Sequence, residues 1–299
     1  MSVPYKLVTV PGKGKGLIAA RAISRGELVL AERPLLTQER GFDNSTILKA
    51  LAQLSDAQQR EYFSLANAWK GVHPPPLGVF KTNALPCGDH EAGSATMADR
   101  AAVFALGSRF NSSCEPNVSN YWDESRREIA FWAVRDIMEG EELLISYGEH
   151  FATRSERRAR LKERFHFDCE CVACALPEEE VKASDDRRVE IRELYDEIAQ
   201  CGRRPALGVN KVKQALKVLE QEGLLGPRGP SFYYDGFQFC ACVADATNAK
   251  AWAQKAWEGF CATRGPNSPD ALKMQKYKKN PRAHPAFGLL GRQTLVGPD

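Results

Sequence analysis

FHFDCECVAC, residues 165–174, sets Cys169, Cys171 and Cys174 within six positions. Core packing gives no reason for three thiols so close together, whereas zinc takes four soft or borderline ligands in a tetrahedron. The fourth ligand must come from a distance. Cys114 is the candidate, because FNSSCEPN (110–117) reads as a polar loop rather than an apolar helix face. Such a closed site is structural: it holds one ion, with no open coordination position, and pins the segment after a charged helix back onto the Cys114 loop. Cys87, Cys201, Cys240, Cys242 and Cys261 read as ordinary thiols.

The bulk numbers bound the remainder. A chain of 299 residues has room for two packed units, and 43% hydrophobic with 26% charged residues is an ordinary globular composition. A net charge of +3 gives no global case for nucleic acid or anionic membrane, so direct nucleic-acid binding is not expected. The N-terminus lacks an apolar core of signal-peptide length, and no apolar run reaches the ~18 residues of a membrane span. Nine cysteines, an odd number, read as thiols and zinc ligands in a reducing compartment. Cytosol or nucleus is the expected location.

Outward from the cysteines, strands are expected at Tyr5 to Val10, Leu17 to Ile23, Leu28 to Leu36, and in NVSNYW, EIAFWAV and ELLISY between residues 117 and 147. Residues 45–70 and 96–109 look helical, with Ser55 an N-cap, and a Pro- and Gly-rich loop covers Gly71 to Gly93. RSERRARLKERF (154–165) is a helix with six basic and two acidic side chains, read as a solvated face. The pairs Tyr121-Trp122 and Phe131-Trp132 read as core. After the acidic linker PEEEVKASDD the apolar spacing turns helical, and the tail beyond Pro266 is expected to be partly disordered. Three parts result: 1–150, 151–176 and 177–299.

PGKGKG (11–16) has neither the G-x-G-x-x-G spacing of a dinucleotide turn nor a phosphate-loop G-K-[ST]. Alone it is a hairpin turn. Beside other motifs it can be backbone laid close against a ligand.

Four segments in order, GKGKGLIAARAISRGELVLAERPLL, FNSSCEPNVSNYW, GEELLISYGE and FHFDCECVAC, resemble the SET-domain methyltransferases, in particular the SMYD-like branch. The resemblance covers residues 5–176 strongly and the helices beyond more loosely. No cysteine/histidine-rich MYND finger interrupts it, as in a compact fungal-type relative. It implies an α+β fold: a β-rich SET core with a threaded, pseudoknot-like loop, a zinc-binding post-SET segment and a helical, tetratricopeptide-like C-terminal region. It also implies methyl transfer from S-adenosylmethionine (SAM) to a lysine of a protein, histone or otherwise, by a monomer.

Carried over by residue, the resemblance puts Lys13, Gly14, Lys15, Gly16 and Leu17 at the SAM pocket, with the two lysines able to face the cofactor carboxylate. Asn111 and Ser112 fall at the Asn-His positions of the threaded loop, and Tyr147 beside the transferring methyl. Phe165 and Phe167 close over the cofactor and the lysine channel, and Cys114, Cys169, Cys171 and Cys174 match the post-SET zinc set. The family usually reads NHSC where this chain has NSSC, and Phe165 stands where tyrosine is frequent. A competing reading makes these two departures marks of a catalytically silent SET-like module that binds SAM or a protein partner.

Overall fold

The glycine-rich turn joins two strands. β1 (Tyr5–Val10) pairs antiparallel with β2 (Gly14–Ala19), in register from Tyr5 opposite Ala19 to Val10 opposite Gly14. Gly12 and Gly14 take φ of 72° and 76°, the left-handed region that a side chain disfavours. The computed structural model describes residues 3–88 and 98–299.

β3 (Leu28–Glu32) lies antiparallel to β9 (Glu128–Ala133), which pairs on its other edge with β8 (Val118–Asp123). A second three-stranded sheet has the order β4 (Leu36–Glu39), β6 (Arg100–Val103), β5 (Leu85–Cys87). β7 (Asn111–Ser112) and β10 (Leu144–Ile145) form a short parallel pair. The chain that leaves β9 is thereby laid alongside the segment that precedes β8. Asn117 locks this crossing: its amide donates to the Glu142 carbonyl at 2.8 Å and accepts from the Leu144 N–H at 2.8 Å. Leu17, Ile23, Phe104, Phe110, Ile129, Phe131 and Ile145 form the core beneath these strands.

Between β4 and β5 in the chain come α1 (Asn44–Leu51), α2 (Asp56–Phe63) and α3 (Pro75–Asn83), closed over Ile47, Tyr62 and Phe80. Ser55 caps α2 as expected, in a reciprocal box with Gln58. Two expectations here are corrected. The segment Gly71 to Gly93 contains α3, because Pro75 occupies a first-turn position where its missing N–H costs nothing; residues 89–93 lie outside the described residues. The helix expected over 96–109 is instead β6 plus a 3-10 turn at Gly107–Arg109, with residues 96 and 97 outside the description. Pairing on both edges overrides the helix preference of Ala101 and Ala102.

α4 (Arg154–Phe165) leads to the cysteine segment. Five helices follow: α5 (Glu178–Ala199), α6 (Pro205–Gln221), α7 (Leu225–Cys242), α8 (Ala246–Arg264) and α9 (Pro269–Lys279). Each packs on the next, around Phe232, Phe237 and Trp252, and α8 also packs on β8 and β9. This divides the aromatic pairs. Trp122 and Phe131 point into the β core, while Arg264 of α8 covers the half-buried Tyr121 ring. The fold is α+β.

The tail departs from its expected partial disorder. Ser268 caps α9, Leu295 is buried, its N–H donates to Asp245 at 2.8 Å, and the Trp252 indole donates to the Val296 carbonyl at 2.9 Å. The apolar side chains of this stretch, Phe287, Leu289, Leu290, Leu295 and Val296, fall at irregular spacing and gave no periodic signal of this docking.

One buried side chain ties the helical region to the strands. Arg188 of α5, fully buried, pairs with Glu222 at 2.7 Å and donates to the carbonyls of His150 at 2.5 Å and Cys114 at 3.3 Å. Ser184 and Arg187 hold the remaining lone pairs of Glu222.

Candidate active site

The cysteine cluster is the firmest part of the site. The sulfurs of Cys114, Cys169, Cys171 and Cys174 all lie within 4.8 Å of one another, and Cys114 Sγ is 3.6 Å from Cys174 Sγ. Four thiolates around one zinc at about 2.3 Å stand roughly 3.8 Å apart, so the arrangement fits the ion. The Cys114 N–H points at the Cys171 sulfur at 3.3 Å. Arg157, buried beside Cys174, offsets the excess negative charge of a four-thiolate site: burial lowers its pKa, but the facing sulfurs outweigh that and raise it.

The zinc segment carries Phe165 and Phe167 toward the strands. His166, in the left-handed conformation at φ 58°, ends α4 and turns the chain between the two rings. Phe165 packs on Tyr147 with ring centroids 4.9 Å apart. The Tyr147 hydroxyl donates to the Phe110 carbonyl at 2.5 Å. Burial first, and the Glu142 carboxylate second, push the Tyr147 pKa up, so this phenol stays neutral at physiological pH.

Two clefts meet at this ring pair. The first, of about 530 Å³, is lined by Lys13, Gly14, Lys15, Asn111, Ser112 and Phe167 together with Tyr147 and Phe165. The second, of about 570 Å³, shares Ser112, Tyr147 and Phe165 and extends along α4. The first cleft fits a cofactor with an adenosyl group and an amino-acid head: it combines apolar rings, backbone polar groups and ammonium groups in a volume usual for such ligands.

The expected cofactor residues do not all face the cleft. Leu17 is buried in the β core and lies outside the lining. Gly16 stands behind Asn111, where an added Cβ would come 2.6 Å from the Asn111 amide nitrogen. Its role is to let that amide approach. The Lys13 ammonium is held at 2.6 Å by Glu142, whose other oxygen accepts from Asn111 at 2.8 Å.

Sequence reasoning passed over Glu142, although it lies in the quoted GEELLISYGE; an acid after a turn carries no local signal of a partner so distant in sequence. It also passed over the segment Ser64 to Ala68, which lines the first cleft. Asn83 fixes that segment through the Ala66 carbonyl at 2.7 Å, and Thr82 accepts from the Ala68 N–H at 2.9 Å. The solvated face expected for α4 is corrected in part: Arg157, Arg160 and Arg164 line the second cleft.

The SET domain model matches residues 14–148. The histone-lysine N-methyltransferase set5 of Schizosaccharomyces pombe is 31% identical over 282 residues, covering 94% of this chain and 85% of that protein. Two human proteins match shorter segments. The histone-lysine N-methyltransferase SMYD3 is 33% identical over 34% of this chain and 24% of its own length, and the N-lysine methyltransferase SMYD2 is 34% identical over 32% and 21%. Among the described residues no helix is long and apolar enough to cross a membrane. With a SET model over the β core and a fungal relative matched nearly end to end, the chain belongs to the SET-domain family of lysine methyltransferases.

Proposed function

We propose that this chain transfers a methyl group from SAM to the side-chain amine of a lysine in a protein. The observation that carries the reading is the wall of Tyr147, Phe165 and Ser112 common to both clefts, since donor and acceptor entering from two sides would meet there. SAM, when bound, supplies an electrophilic methyl on a positively charged sulfur. Lys13, Gly14, Lys15 and Asn111 would hold it in the first cleft, with Phe167 over it, and one zinc would be held by Cys114, Cys169, Cys171 and Cys174.

The chain's own groups then do three things. The rings of Tyr147 and Phe165 disfavour a charged ammonium by desolvation, which lowers the lysine pKa from about 10.4 and favours the neutral nucleophile. The Tyr147 hydroxyl, with its hydrogen engaged by Phe110, turns its lone pairs to the reacting groups and orients them. Its raised pKa makes it a positioning phenol rather than a base. Alignment of the two reactants supplies most of the remaining acceleration.

Ser112 keeps the backbone of its position, in the β7–β10 pair, so the missing imidazole leaves the loop intact. The names of the relatives put histones among the substrates to try, and substrates of this kind would fit an enzyme acting in nucleus or cytoplasm. The division 1–150, 151–176 and 177–299 follows the change from SET core to zinc segment to helices.

The test pairs calorimetry of SAM binding with transfer of labelled methyl to a lysine-rich protein mixture. Binding with transfer supports the reading. Binding without transfer makes the chain a silent SET-like module.

A further inference from the structure

The second cleft is cationic along one side. Arg157, Arg160 and Arg164 enter it from one face of α4 and Arg100 from β6, against a single lining carboxylate among the described residues, Glu149. Two of these arginines are committed elsewhere. Arg157 is buried, with its guanidinium on the Ala152 carbonyl at 2.6 Å and facing Cys174, and Arg100 pairs with Glu124 at 3.0 Å. Arg160 and Arg164 are exposed. Arg160 meets the solvated Glu149 carboxylate at 2.5 Å, and Arg164 has no ion pair among the described residues.

A lysine brought into this cleft meets positive charge from the wall, and basic neighbours would add to the repulsion. Carboxylates beside it would offset both. The spacing is specific. Arg160 and Arg164 are one helical turn apart, about 6 Å along the axis, which matches about two residues of an extended peptide. Alternate residues of such a peptide face the same way.

Given the reading of the second cleft as the acceptor side, we infer that Arg160 and Arg164 select lysines lying in an acidic stretch, with two carboxylates at alternate positions contacting the two guanidiniums. The substrate class is an acidic segment of a protein, and a basic tail is disfavoured.

The test uses two fluorescein-labelled peptides that share a central lysine and differ at two alternate flanking positions, glutamate in one and lysine in the other. Anisotropy with the full chain and SAM should show the acidic peptide binding about tenfold tighter, a gap that narrows as salt is added. In the double variant Arg160→Glu with Arg164→Glu the preference should invert, which loss of fold cannot imitate. In Arg164→Gln alone it should fall by about threefold. Equal affinities in the unaltered chain, a preference for the basic peptide, or an unchanged preference in Arg164→Gln overturns the inference. Acid-selective binding with no labelled methyl transferred would refute the methyltransferase reading and leave the charge selection standing.

Discussion

The side-chain amide of Asn111 donates to the carboxylate of Glu142 across 31 positions of sequence, at 2.8 Å. The same carboxylate restrains Lys13 at 2.6 Å, so one acid holds two walls of the proposed cofactor cleft. Glu142→Gln can keep the Asn111 bond and must lose the ion pair. SAM affinity should fall about three- to tenfold by calorimetry, with the melting temperature little changed, since the Lys13 end of the pair is exposed. Unchanged affinity would detach Lys13 from cofactor binding.

Tyr147→Phe removes the hydroxyl and its bond to Phe110. The rate of methyl transfer at saturating SAM should drop about a hundredfold or more, while the dissociation constant of SAM stays within about twofold. A loss of roughly 1 kcal/mol in urea unfolding accompanies it. Equal turnover in the variant removes Tyr147 from the mechanism.

Metal analysis of the purified chain should find one zinc. Chelation, or Cys171→Ser, should release it and lower the melting temperature together with activity, because Phe165 and Phe167 flank the metal-bearing segment. A metal-free chain with full activity would contradict a structural ion.

Asp235 on α7 supplies a pH signature. Burial raises its pKa to about 7, from the usual aspartate value of 3.8. Between these values the folded chain binds the proton that the unfolded chain has released, so stability falls as pH rises from about 4 to 7 and is flat above. Asp235→Asn should therefore be more stable than the unaltered chain by up to about 4 kcal/mol at pH 8 and nearly equal to it at pH 4, by urea titration. The same difference at both pH values would rule out this proton.

The chemistry of the site was legible where it is local. Three cysteines in FHFDCECVAC announce a metal without any knowledge of the fold, and the polar setting of Cys114 was enough to find the fourth. The Gly12 to Gly16 run predicted its own hairpin. What could not be read depends on partners remote in sequence. Ala101 and Ala102 favour a helix until β4 and β5 supply hydrogen bonds on both edges. Leu17 follows the glycines and looks like a pocket residue, yet strand alternation turns it inward. Arg160 and Arg164 look like surface charge because nothing in α4 reveals the cavity beside them.

The buried guanidinium of Arg188 makes the two regions one cooperative body. Its removal by Arg188→Ala would leave the buried Glu222 with only the partly exposed Arg187 as counter-ion, at a cost of about 3 kcal/mol, and would deprive the carbonyls before α4 and at Cys114 of their donor. A fragment ending at residue 176 should accordingly melt early and lose its zinc readily, however complete its sequence motifs. The helices behave as a keystone for the metal loop, so a variant deep in α5 can silence chemistry that no residue of α5 touches.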